Sequence, residues 1–201
     1  VYVADAWDPG DNTPAGGTVL TPALVVQNHG LHMLNATDTV DWYRISMIAG
    51  STYTLDTIDG NNDNVGELYS DIAGTLLVAS GDDELANAQF RITYTAAATQ
   101  TYYLKVRTYT AGDPWMGHLF YSGIVPDPWD PTDNTSAGAT LLSPSPSPQQ
   151  HGLHSLRAAD LADWYRIPMV AGHSYNFSTP GGSGDSAAFL YSNAGGTILV
   201  A

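Results

Sequence analysis

The sequence predicts an all-β protein built as tandem antiparallel β-sandwich domains of jelly-roll-like form. Two observations predict it. The chain repeats itself without a gap, and its apolar residues alternate with period two between Gly, Asn, Asp and Pro punctuation, with no helix-period stretch to compete.

The repeat has an offset of 122 residues. Trp7-Asp8-Pro9-Gly10-Asp11-Asn12-Thr13 returns as Trp129-Asp130-Pro131-Thr132-Asp133-Asn134-Thr135. His29-Gly30-Leu31-His32 returns as His151-Gly152-Leu153-His154, and Asp41-Trp42-Tyr43-Arg44-Ile45 returns as Asp163-Trp164-Tyr165-Arg166-Ile167. Between Trp7–Ala79 and Trp129–Ala201, 39 of the 73 aligned pairs are identical, which makes this a duplication. The expected domains are therefore 1–6 as the tail of a preceding repeat or a linker, 7–128 as a complete repeat, and 129–201 as a second repeat that is C-terminally incomplete. On this reading the chain is a window on a longer array.

Within the complete repeat, Tyr43, Ile45 and Met47 alternate with Trp42, Arg44 and Ser46. Tyr53 and Leu55 come after the turn Ala49-Gly50. Phe90, Ile92 and Tyr94 form another strand, Tyr102, Leu104 and Val106 the next, and Leu119 and Tyr121 the last. Eight or so short strands in such a length fit a sandwich. Pro126, Pro128 and Pro131 stiffen the junction between repeats. The run Ser143-Pro144-Ser145-Pro146-Ser147-Pro148 replaces Thr21–Val26 of the first copy, and its prolines cannot donate to a sheet ladder.

Composition narrows the function. Twenty acidic residues against six basic ones give a net charge of −14, and Lys105 is the single lysine. Phosphate backbones and anionic lipid surfaces are repelled, so nucleic acid and membrane insertion are excluded as partners. No apolar run reaches the length of about 20 residues that spans a bilayer. The chain has no cysteine, hence no disulfide, thiolate metal site or cysteine nucleophile. The excess of Asp favours hard divalent cations, which take carboxylate and carbonyl oxygens.

These residues resemble the bacterial pre-peptidase C-terminal domain family, related to the collagen-binding domains of clostridial collagenases. Asp8-Pro9-Gly10-Asp11-Asn12-Thr13 is similar to the family's opening motif, and Asp38-Thr39-Val40-Asp41-Trp42-Tyr43 to its Asp-x-x-Asp before an aromatic strand. Ala49-Gly50 with Tyr53, Leu68-Tyr69 with Gly74-Thr75-Leu76-Leu77, and Thr101–Val106 match further motifs in order. The resemblance implies a secreted sandwich with no catalysis of its own and, in the collagen-binding members, a calcium site. Carried over by position, the metal ligands are Asp8, Asp11, Asp38 and Asp41, and in the second repeat Asp130, Asp133, Asp160 and Asp163. The residues themselves leave two readings open: a calcium site, or turn-forming Asp side chains that bond nearby backbone amides.

Other constellations weigh less. Asp59, Asn61, Asp63 and Glu67 offer oxygens at alternate positions, but an ordinary hairpin loop accounts for them. His29-x-x-His32 and His151-x-x-His154 lack the Glu of a zinc protease, and on a regular strand positions three apart face opposite ways. Gly181–Ser186 superficially resembles a serine-protease nucleophile loop, with the order reversed, and is read as a flexible hairpin. Trp42, Tyr43, Trp164 and Tyr165 are read as core, whereas Trp115, after Gly112-Asp113-Pro114, is the better candidate for an exposed contact. Asn35, Asn134 and Asn176 head glycan acceptor triplets by pattern.

The expected function is a non-catalytic extracellular or cell-surface repeat that acts as a structural stalk or fibre subunit. Its expected partners are neighbouring repeats or copies of itself, and an extracellular protein or polysaccharide. If 201 residues is the whole polypeptide, strands from a neighbouring chain complete the second repeat. The competing expectation is an accessory substrate-binding or secretion-associated C-terminal domain of a secreted peptidase or hydrolase.

Overall fold

The computed structural model describes residues 4–157, 160–182 and 185–201. Ser183 and Gly184 of the Gly-rich loop lie outside the described residues. Two compact units emerge, the first comprising the residues up to Val125 together with Arg157 and the second comprising Pro126–Leu156 and Asp160–Ala201. Asp127 belongs to the second unit, because its Oδ1 accepts the Trp129 N–H at 2.9 Å and its Oδ2 the Ser155 N–H at 3.1 Å.

The first unit is a β-sandwich of nine strands: β1 (Thr18–Leu20), β2 (Gln27–Leu34), β3 (Val40–Met47), β4 (Thr52–Asp56), β5 (Asn64–Tyr69), β6 (Leu77–Gly81), β7 (Arg91–Thr95), β8 (Gln100–Thr108) and β9 (Trp115–Ile124). One sheet runs β1-β3-β8-β5-β6 and the other β2-β9-β4-β7. Pairing is antiparallel throughout except for the short edge strand β1, which lies parallel to β3.

The period-two pattern accounts for the core. Tyr43, Ile45 and Met47 of β3 share one face, and in register beside them Tyr102, Leu104 and Val106 of β8 point the same way. From the other sheet Leu34, Tyr53, Leu55, Ile92, Leu119 and Tyr121 meet them. Each such side chain taken out of water contributes about 1.5–3 kcal/mol before entropy is counted. Asp41 continues the inward row of Tyr43, Ile45 and Met47 and is fully buried at the end of the sheet. Sheet geometry therefore places a carboxylate beside an apolar core.

Trp115 departs from expectation. It is the first residue of β9 and only 1% exposed, with its indole Nε1 donating to Gln89 Oε1 at 3.1 Å. The loop punctuation ends at Pro114, and the strand begins immediately after it. Trp42 and Tyr43 are buried as expected.

In the second unit, β10 (Thr140–Leu141) lies parallel to β11 (Tyr165–Arg166). Thr140 pairs with Tyr165 as Thr18 pairs with Tyr43, so the parallel edge is a property of the repeat. Leu55 is fully buried beneath the sandwich, whereas its counterpart Phe177 is half exposed. Among the described residues, no helix is long and apolar enough to cross a membrane.

Candidate metal centre

The opening segment of the first unit folds back on itself before β1. The Asp5 backbone N–H donates to Asp8 Oδ2 at 3.1 Å, and Asp5 Oδ1 accepts the Trp7 N–H at 2.9 Å. Asp5 Oδ2 reaches across to β2 and accepts the Met33 N–H at 3.2 Å. Asp11 sits in a single 3-10 turn, Gly10–Asn12, and is buried. Asp5, Asp8 and Asp11 thereby lie at the end of the sheet where Asp38 leads into β3 and Asp41 sits within it.

A bulge in β2 completes the cluster. The register against β9 shifts between His29 and Leu31, at Gly30, whose φ is +41°. The extra residue reverses the alternation, so His29 and His32 lie on the same side, their ring centroids 5.1 Å apart. This corrects the expectation of opposite faces, which holds only for a regular strand. Glycine is required at the bulge for a second reason: a Cβ there would run into the Trp7 ring. Trp7 lies flat on His32, with centroids 4.4 Å apart and planes at 17°.

His32 is fully buried, and its Nδ1 points among the carboxylates: 3.1 Å from Asp41 Oδ2, 3.3 Å from Asp5 Oδ2 and 4.0 Å from Asp11 Oδ2. None of these contacts has hydrogen-bond geometry. Both oxygens of Asp11, Asp38 and Asp41 are buried without a hydrogen-bond partner. Three overlapping groups each bring their ligand atoms within 4.8 Å of one another: Asp5, Asp11 and His32; Asp5, Asp8 and Asp38; and Asp8, Asp11 and Asp41.

Five carboxylates in this space oppose one another. Burial, reinforced by Asp11, Asp5 and Asp8, pushes Asp41 up to about 9. Burial and the neighbouring Asp41 push Asp38 up to about 7. Burial raises Asp11 as well. The same burial lowers His32, and takes His29 down to about 4, so the imidazoles bring no positive charge to the cluster. Buried carboxylates need a charge partner or hydrogen-bond donors, and a divalent cation is one partner with the chemistry to satisfy several at once.

The second unit repeats this arrangement. His154 Nδ1 lies 3.3 Å from Asp127 Oδ2, 3.2 Å from Asp163 Oδ2 and 4.0 Å from Asp133 Oδ2. Trp129 stacks on His154 at 4.4 Å and 19°. Asp130 Oδ2 accepts the Asp127 N–H at 3.1 Å, as Asp8 does for Asp5. Asp160 is buried. Burial, with Asp133, Asp127 and Asp130, pushes Asp163 up to about 6.

All four expected ligands of the first unit are thus brought together, and in the second unit Asp130, Asp133 and Asp163 are, with Asp160 buried. Asp5, Asp127, His32 and His154 were not expected. The signal for them lay in the repeat: Asp5 falls on Asp127, and His32 on His154, at the same offset of 122. The other oxygen-rich loop does not assemble. Asp59 binds the His118 side chain at 2.6 Å, Asn61 Oδ1 accepts the Met116 N–H, and Glu67 is held by Lys105 and Arg107. Asp63 instead approaches Asp82 and Asp83, in a group open to solvent.

No family model matches the chain. No curated protein matches it. Among solved structures it is similar to the pre-peptidase C-terminal domain of a collagenase from Bacillus anthracis, at 17% identity and a TM-score of 0.38, over 53% of this chain and 93% of that one. It is also similar to PliG, a periplasmic inhibitor of g-type lysozyme, from Aeromonas hydrophila, at 15% identity and a TM-score of 0.38, over 53% of this chain and 98% of that one. The PliG of Salmonella Typhimurium is similar at 14% identity and a TM-score of 0.36, over 53% of this chain and 99% of that one.

Proposed function

We propose that the chain is a non-catalytic, exported tandem repeat in which each β-sandwich is braced by a divalent cation, and that it serves as a structural stalk or fibre module. The observation that carries this reading is the recurrence of one buried Asp and His cluster at the same offset in both units. His32 and Asp41 are fully buried and His154 largely so, which suits a brace.

Calcium is the ion the family resemblance implies. The carboxylates of Asp5, Asp8, Asp11, Asp38 and Asp41 fit it, since hard cations are held by oxygens. The buried imidazole of His32 is the donor that does not. A cation here ties the opening segment to β2 and β3, and in the second unit it ties Asp127 to His154 and to Asp163, which precedes β11. The partners on this reading are neighbouring repeats or copies of the chain, with an extracellular protein or polysaccharide as ligand.

Metal content and thermal melting test the reading together. The purified chain should carry bound divalent metal, and exhaustive chelation should lower its melting temperature reversibly. A metal-free protein with a melting temperature indifferent to chelator and to added cations would overturn it.

A further inference from the structure

We propose that each site takes a d-block divalent cation, of the manganese, cobalt or zinc type, with the Nδ1 nitrogen of His32 or His154 as a ligand, in preference to calcium. The proposal rests on the cation-brace reading and specifies which ion that brace holds.

The inner histidine is the evidence. In both units its Nδ1 faces three Asp Oδ2 atoms at nearly the same distances, 3.1, 3.3 and 4.0 Å in the first and 3.2, 3.3 and 4.0 Å in the second. An ion with bonds of about 2.0–2.2 Å separates adjacent ligand atoms by about 3.0–3.5 Å, and calcium, with longer bonds but more ligands, gives a similar separation, so the spacing fits a bound cation and the nitrogen decides its class. A calcium site made for oxygen alone has no use for a buried imidazole in its centre, whereas imidazole is a common ligand of d-block cations.

The outer histidine supports the assignment. In the second unit His151 Nδ1 lies 2.8 Å from His154 Nε2. When Nε2 carries the proton and donates to His151, the Nδ1 lone pair is left facing the carboxylates. A metal-bound histidine commonly donates its other ring N–H in this way, which sets its tautomer and orientation. In the first unit the ring centroids lie 5.1 Å apart, and His32 Nε2 has no hydrogen-bond partner. His32 and His154 thus ligate, and in the second unit His151 is a positioning residue. Four of the six histidines of the chain lie in these two pairs, and the absence of cysteine removes any thiolate that would compete for the same ions.

The test is a titration of the chelated, full-length chain with Co(II), Zn(II), Mn(II) and Ca(II), read by melting temperature, by equilibrium competition and by the visible absorption of Co(II). Two Co(II) ions per chain should bind, with a d–d spectrum showing nitrogen ligation, and Zn(II) should bind more than about tenfold more tightly than Ca(II). His32→Gln with His154→Gln should weaken Zn(II) by more than about tenfold and leave Ca(II) nearly unchanged, which collapses the preference. His151→Gln should shift the Co(II) spectrum while retaining two ions per chain.

Calcium binding tighter than Zn(II), with an all-oxygen Co(II) spectrum, would overturn this proposal and leave the cation brace standing. Absence of binding by all four ions would overturn both. The unmutated protein alone decides between these outcomes, so a histidine variant that fails to fold does not shelter the proposal.

Discussion

Asp5 Oδ2 lies 3.3 Å from His32 Nδ1, and the same oxygen accepts the Met33 N–H at 3.2 Å. A residue of the opening segment is thereby fastened to the bulged strand β2, 27 positions further along the chain. The candidate metal site and the seam between opening segment and sandwich share these residues, and perturbing either should be felt in both.

Asp41→Asn should change sign with metal. In the chelated protein it removes one of five crowded carboxylates from a dry site and should stabilise. In the loaded protein it removes a ligand charge and should destabilise by about 1–3 kcal/mol. Paired denaturation curves with and without chelator read both effects, and destabilisation of equal size in the two conditions would contradict a cation at Asp41.

Gly30→Ala should cost about 1–3 kcal/mol, because the position holds a positive φ and a Cβ there meets the Trp7 ring. Gly10→Ala is the control, since nothing lies within 4 Å of a Cβ at that position. Equal melting temperatures for the two variants would show that the bulge is not a fixed feature of β2.

Glu67 links the charge of β5 to β8: its oxygens lie 2.9 Å from Lys105 Nζ and 3.2 Å from Arg107 Nη2. Burial alone raises the Glu67 carboxyl, but these two cations outweigh it and hold the group below its ordinary value. A carboxylate whose acidity is greater in the folded state contributes stability above its unfolded pKa and loses it as pH falls through the folded one. Glu67→Gln should therefore destabilise by about 1 kcal/mol at neutral pH, and the gap to the unmutated protein should close below the ordinary Glu range. A gap independent of pH from about 7 to about 3 contradicts this.

Trp115→Ala should be the more severe lesion, at about 3–5 kcal/mol, since it empties a large volume in the core. Trp115→Phe keeps most of that volume and strands Gln89 Oε1, for a smaller loss. Chemical denaturation orders the two variants. A surface-like effect for Trp115→Ala would return Trp115 to the exposed role that its loop context suggested.

The pattern of agreement has physical causes. Asp41 was legible through the Asp-x-x-Asp that resembles a family motif, and the structure buries it because it shares the odd-numbered face with Tyr43, Ile45 and Met47. His32 was not, because one inserted residue at Gly30 reverses alternation, and a bulge leaves no mark in hydrophobicity. Asp5 was hidden by its place before Trp7, in a stretch that reads as linker until Asp127 is seen doing the same thing in the second unit. Trp115 was misjudged because Gly112-Asp113-Pro114 signals a loop without saying where the loop ends. The β1–β3 pairing also escaped, since composition does not distinguish parallel from antiparallel in a strand of three residues.

The central claim is that each unit encloses one buried cation-binding cluster, and native mass spectrometry of the intact chain tests it most directly. The account predicts an ion complement of at least two divalent cations per chain. Asp5→Ala with Asp127→Ala should reduce it, because each substitution removes a carboxylate from one site. A chain that flies at its bare polypeptide mass after exposure to calcium, manganese and zinc, while remaining folded, would contradict the account.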